Sequence, residues 1–127
     1  MLERIEAVHA CGILHRDIKP GNVLYDGHRW RLCDFGFAIR CANQRLKDRV
    51  GTLVYKAPEL CSINARGHGY LGRPVDAWAF GCVLFEMLHG RMPFSGSTHG
   101  DIEIRICQPG GYGDLRRDLS ASARQLV

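Results

Sequence analysis

Apolar positions near the start of the chain recur every three residues, at Leu2, Ile5 and Val8. That spacing predicts the end of an amphipathic helix, and Gly12 stands where such a helix would stop. Further on, Val23-Leu24-Tyr25 and Trp30-Arg31-Leu32 are short runs of strand-forming side chains around Asp26-Gly27, a pattern that predicts a β-hairpin. From Phe35 to Tyr55 neither a two-residue nor a helical period holds, so this stretch reads as mostly loop. Pro74 can occupy the first turn of a helix, and Pro74 to Leu88 reads as one long helix closing near Gly90. It is apolar on nearly every side, which predicts a place inside a domain and not on its surface. Asp101 to Gln108 suits a short helix, and Ser120 could cap a last one.

Composition narrows the class. The 127 residues are 46% hydrophobic and 24% charged, which suits one globular domain or part of one and is too apolar for a disordered tail. The longest apolar run, Ala77 to Phe85, is nine residues, against about 20 for a membrane helix. Met1-Leu2-Glu3-Arg4-Ile5-Glu6 has no apolar stretch behind it, so no secretory signal is expected and the expected location is intracellular, cytoplasmic or nuclear. Six cysteines are spread without a Cys-x-x-Cys pair, which predicts mostly buried free thiols and no cysteine-held metal.

Seventeen bases against thirteen acids give a net charge of +4. The excess sits in one place, since Arg40, Arg45, Lys47, Arg49 and Lys56 surround a single acid, Asp48. A nucleic-acid binder would carry a broader basic face with aromatics between the charges, so neither nucleic acid nor membrane is expected as a partner. Acidic stretches on a protein partner would suit the basic loop.

Three strings carry the chemistry: His15-Arg16-Asp17-Ile18-Lys19-Pro20-Gly21-Asn22, then Asp34-Phe35-Gly36, then Ala57-Pro58-Glu59. Together and in this order they resemble the signatures of the eukaryotic protein kinase family. Lys19, with Gly51-Thr52 ahead of Ala57-Pro58-Glu59, is similar to the serine/threonine branch. The resemblance implies an α+β, mainly α fold: a protein-kinase-like C-terminal lobe with a short β-hairpin, spanning residues 1–127 as a partial domain. The Gly-rich loop, the strand lysine and the helical glutamate of the small N-terminal lobe have no counterpart in the sequence.

The same resemblance implies the site. Asp17 would be the catalytic base, Lys19 a charge near the transferred phosphate, and Thr52 a hydrogen-bonding partner of both. Asn22 and Asp34 would hold Mg2+, and Leu24 would lie under the adenine of ATP. Asp76 would hold the backbone of the catalytic loop, and His15 and Phe35 would stack. The expected acceptor is a protein Ser or Thr hydroxyl. The implied function is a serine/threonine kinase catalytic lobe, with little activity expected of the chain alone, since a small lobe or partner should cover exposed apolar surface. A non-catalytic kinase-like binding module is the alternative. Between Asp34 and Gly51 there is no Ser, Thr or Tyr, so the loop offers no hydroxyl for phosphorylation, and Asp48 could stand in for a phosphate opposite Arg16.

Overall fold

The computed structural model describes residues 1–41, 44–64, 67 and 69–114. Among the described residues three α-helices carry the fold: α1 (Leu2–Ala10), α2 (Gly72–His89) and α3 (His99–Cys107). Two antiparallel pairs of short strands lie between α1 and α2. In one, β1 (Ile13–Leu14) pairs with β4 (Ile39–Arg40), and in the other β2 (Val23–Tyr25) pairs with β3 (Trp30–Leu32).

The amphipathic helix, the hairpin and the long helix stand where the hydrophobic pattern puts them. α1 buries Ile5, and the chain turns at Gly12, whose φ of +71° is open to glycine at little cost. In the hairpin, Val23 faces Leu32 and Tyr25 faces Trp30. Its turn is closed by Asp26, whose Oδ1 accepts from the amides of His28 and Arg29 while Oδ2 accepts from Arg31 Nε at 2.7 Å. The Arg31 guanidinium, with those two amides, lowers the Asp26 carboxyl to about 2. α3 begins two residues ahead of the expected position, behind a reciprocal cap: Thr98 Oγ1 accepts from the Asp101 amide and Asp101 Oδ2 accepts from the Thr98 amide. The helix expected after Ser120 lies outside the described residues.

α2 is the central post. Val75 joins a cluster with Leu14, Leu46, Leu60 and Tyr70; Ala79 and Val83 join Ile5 and Ile18; Cys82 joins Cys61, Phe94 and Ile106. Full burial of side chains such as Ile18 and Val83 contributes about 1.5–3 kcal/mol each. Two expectations need correction. α2 starts at Gly72, two residues before Pro74, and Gly72 packs so close to Leu14 that a Cβ would collide with its side chain. Nor is α2 enclosed on all sides: Ala77, Gly81 and Met87 are exposed among the described residues. Ala77 and Gly81 carry so little apolar area that their exposure costs little.

All six thiols are free, with Cys41, Cys61 and Cys82 buried, Cys33 and Cys107 half-buried and Cys11 exposed. Burial pushes the Cys82 thiol up to about 12, which leaves it protonated and unreactive at neutral pH. No helix among the described residues is long and apolar enough to cross a membrane.

Candidate active site

Asp17 lies on the connection between β1 and β2, buried to 5% exposure. Four donors converge on its carboxylate. Oδ1 accepts from the Thr52 amide at 3.0 Å and from Thr52 Oγ1 at 2.8 Å. Oδ2 accepts from Lys19 Nζ at 2.7 Å and from Asn22 Nδ2 at 3.2 Å. Lys19 Nζ also donates to Thr52 Oγ1 at 3.0 Å, so lysine, hydroxyl and carboxylate form a closed triangle. Asn22 Nδ2 donates in addition to the Asp17 carbonyl at 2.8 Å. Burial pushes the Asp17 carboxyl up, but Lys19 and Thr52 outweigh it and hold it below its ordinary value. Asp17 is therefore an ionised carboxylate at neutral pH.

Local backbone geometry explains why these residues meet. Pro20 opens a single helical turn, Pro20–Asn22, which carries Asn22 back beneath Asp17. Thr52 arrives from a distant stretch of chain, and Gly51 makes its approach possible. Gly51 has φ +99°, and a Cβ there would lie 2.6 Å from the Arg16 carbonyl oxygen. Any other residue would push Thr52 away from Asp17.

Asp34 comes alongside through the hairpin. The Cys33 amide donates to the Asn22 carbonyl at 3.0 Å, extending the β2–β3 ladder and setting Asp34 one residue from Asn22. Asp34 is exposed, has φ +58° and accepts from the Gly36 amide at 3.2 Å. A non-glycine residue at positive φ is strained by about 1 kcal/mol, a cost that surrounding structure must hold in place. His15 supplies part of that hold. Its ring packs edge-on against Phe35 with centroids 4.8 Å apart, and Nε2 donates to the Cys33 carbonyl at 3.1 Å. Leu24 sits on the hairpin, 53% exposed.

Asp76, near the start of α2 and 1% exposed, fixes the backbone just ahead of Asp17 from behind. Oδ2 accepts from the His15 amide at 2.9 Å and Oδ1 from the Arg16 amide at 2.8 Å. A third partner was not foreseen in the sequence: His9 Nε2 lies 2.7 Å from Asp76 Oδ2, linking α1 to the same carboxylate. His9 sits two helical turns into α1, and one-dimensional spacing gave no signal that α2 would pass there. Glu59 is exposed, so its carboxylate is hydrated at little cost.

Asp17, Lys19, Asn22 and Thr52 thus share one hydrogen-bonded cluster, and Asp34 stands at its edge. No group of three or more His, Cys, Asp or Glu side chains suited to a metal is found among the described residues. The hard oxygens of Asn22 and Asp34 nonetheless match a cation that takes only one or two protein ligands and fills its shell with phosphate and water, as Mg2+ does.

A family model described as the protein kinase domain matches residues 1–121. Among curated proteins, the chain is 44% identical over 98 residues to the mouse phosphorylase b kinase gamma catalytic chain, liver/testis isoform, covering 74% of this chain and 24% of that one. It is 39% identical over 105 residues to the serine/threonine-protein kinase mph1 of Schizosaccharomyces pombe, covering 75% and 16%. With a probable serine/threonine-protein kinase of Saccharomyces cerevisiae, HSL1, identity is 35%, covering 100% of this chain and 8% of the relative. The chain spans less than a third of the length of these relatives.

Proposed function

The chain belongs to the protein kinase family, and on that premise we propose that it forms the C-terminal catalytic lobe of a serine/threonine protein kinase, moving the γ-phosphate of ATP to a protein hydroxyl. The single observation that carries this reading is the Asp17 cluster, an ionised buried carboxylate with a lysine, an asparagine and a threonine gathered on it.

Phosphoryl transfer asks mostly for positioning and for charge neutralisation. Bound Mg2+ and ATP would supply the phosphoryl group and the main neutralising charge. Asn22 and Asp34 would hold the metal: both hydrogen bonds of the Asn22 side chain use Nδ2, which leaves Oδ1 for a cation. Asp17 orients the acceptor hydroxyl and takes its proton late, as suits a carboxylate held below its ordinary value.

Each Asp17 oxygen already accepts two hydrogen bonds, which fills the roughly four acceptor positions of a carboxylate. A substrate hydroxyl must therefore displace one donor. Lys19 is the one free to leave: its side chain is 30% exposed and flexible, and turning toward the transferring phosphate keeps its charge useful. Thr52 and Asn22 then retain the carboxylate in place. Leu24 and Phe35, both exposed, offer apolar surface beside this edge, and a small lobe or partner is proposed to close over it around the adenine.

Binding and transfer separate the enzyme from a binding module. In the natural protein that carries this chain, Asp34→Ala is expected to weaken Mg2+-dependent ATP binding. Asp17→Asn is expected to bind Mg-ATP as the wild type does and to transfer phosphate far more slowly. Titration of nucleotide with and without Mg2+ checks the first, and a transfer assay the second. Equal transfer rates for wild type and Asp17→Asn would leave only the binding module.

A further inference from the structure

Two of the thiols meet away from the Asp17 cluster. Cys61 directly follows the turn Pro58–Leu60 and is 0% exposed. Cys107 is the last residue of α3 and is half-buried. Their sulfurs reach successive carbonyls of the same turn: Cys61 Sγ donates to the Ala57 carbonyl at 3.8 Å, and Cys107 Sγ to the Pro58 carbonyl at 3.8 Å. The two are also hydrogen-bonding neighbours of each other, Cys61 as donor and Cys107 as acceptor. Cys82 shares the apolar cluster of Cys61, Phe94 and Ile106. Burial alone raises its pKa, however, and no second thiol among the described residues acts on it.

Their surroundings give the two sulfurs different roles. Burial raises both thiols above the ordinary value. At Cys107 the Cys61 S–H offsets part of that rise by donating to the thiolate, while the same contact raises Cys61 further. Glu103, one turn earlier on α3, raises both, and Lys56 lowers Cys61 a little. Cys107 is therefore the sulfur that ionises first and the one that solvent reaches. Cys61 keeps its proton behind it.

We propose that Cys61 and Cys107 form an oxidation site, which peroxide closes to an intramolecular disulfide tying the turn after Ala57 to the end of α3. The Cys107 thiolate attacks hydrogen peroxide, the O–O bond breaks, and sulfenic acid forms on Cys107 as the released hydroxide takes up a proton to become water. The Cys61 thiol then gives up its proton and attacks that sulfur. The S–S bond forms, the S–O bond breaks, and a second water leaves. Two thiols have lost two electrons, and one peroxide has become two waters. The bond closes the chain from 61 to 107, a loop that contains all of α2. Such a closure restricts the unfolded chain more than the folded one, so the oxidised protein is the harder to melt. None of this depends on whether Asp17 is catalytic.

The test treats the natural protein that carries this chain with hydrogen peroxide, alkylates the remaining thiols in denaturant, and maps the digested peptides by mass. The expected product is one linked pair of peptides, carrying Cys61 and Cys107, lighter by two hydrogens than its reduced parts and separated by dithiothreitol. Its rate of formation should rise about tenfold from pH 7 to pH 8, as the thiolate fraction does below the pKa. Cys61→Ser should stop at a sulfenic acid on Cys107, captured by dimedone, and Cys11→Ser should form the linked pair as wild type does. The oxidised wild type should melt above the reduced form. Peroxide-treated wild type in which Cys61 is still alkylated, or in which Cys107 is bonded to another sulfur, would overturn the proposal. An oxidised form that melts below the reduced one would overturn it too, because the bond would then have pulled α3 from its seat.

Discussion

At the scale of single residues, the proposed chemistry turns on how one carboxylate is kept charged while buried. Asp17 is almost excluded from water, and burial alone would favour its protonated form. Lys19 and Thr52 reverse that preference. A group whose folded pKa lies below its unfolded value contributes stability above the unfolded value, near 4, and loses it as pH falls through the folded value. Replacing Lys19 by Met removes the nearest positive charge, so the Asp17 pKa should rise. The acid limb of the kcat profile should then move to higher pH, with kcat at neutral pH lower by about a hundredfold. A pH series on Lys19→Met checks this, and an unmoved acid limb would assign the limb to another group. Asp17, Lys19 and Asn22 were legible in the sequence because they fall in one eight-residue string. Their saturation of the Asp17 oxygens was not, since Thr52 reaches Asp17 across 35 residues of chain.

Elements position what the residues do. The hairpin was readable because Asp26-Gly27 has a local reason to turn: the Asp26 side chain satisfies two backbone amides within its own loop. The same reasoning fails for β1 and β4, two residues each, which are too short to show alternation and pair distant positions, Ile13 with Arg40 and Leu14 with Ile39. It fails also for the start of α2, where Pro74 is the visible signal but the helix already begins at Gly72, packed against Leu14. Gly51 shows how an element of a single residue can govern a site. Gly51→Ala forces a side chain into the left-handed region, at a cost of about 1–2 kcal/mol, and into the Arg16 carbonyl besides. It should lower both melting temperature and phosphate transfer, whereas Gly81→Ala, on the open face of α2 with no atom near the added Cβ, should lower neither. Thermal melts and transfer rates of the two variants make the comparison.

Across the whole molecule, α2 does two things at once. Its apolar residues tie three hydrophobic clusters together, and Asp76 on the same helix holds the backbone of His15 and Arg16 as well as His9 of α1. The core and the backbone leading into Asp17 therefore share one support, so damage to Asp76 should appear as loss of stability and of activity together. Asp76→Ala leaves the His15 and Arg16 amides without their partner and should destabilise the fold by about 3–5 kcal/mol. Denaturant unfolding measures it. The sequence pointed to Asp76 as the backbone anchor, and the structure adds the link to α1. The near-uniform apolarity of α2 promised enclosure, but Ala77, Gly81 and Met87 face outward among the described residues.

The most direct test of the central claim is the rate of γ-phosphate transfer from Mg-ATP to a protein Ser or Thr, measured for the natural protein and for Asp17→Asn at equal nucleotide occupancy. A catalytic Asp17 predicts a fall of about a hundred- to ten-thousandfold in kcat with ATP affinity unchanged. Equal kcat in the two proteins would contradict the account.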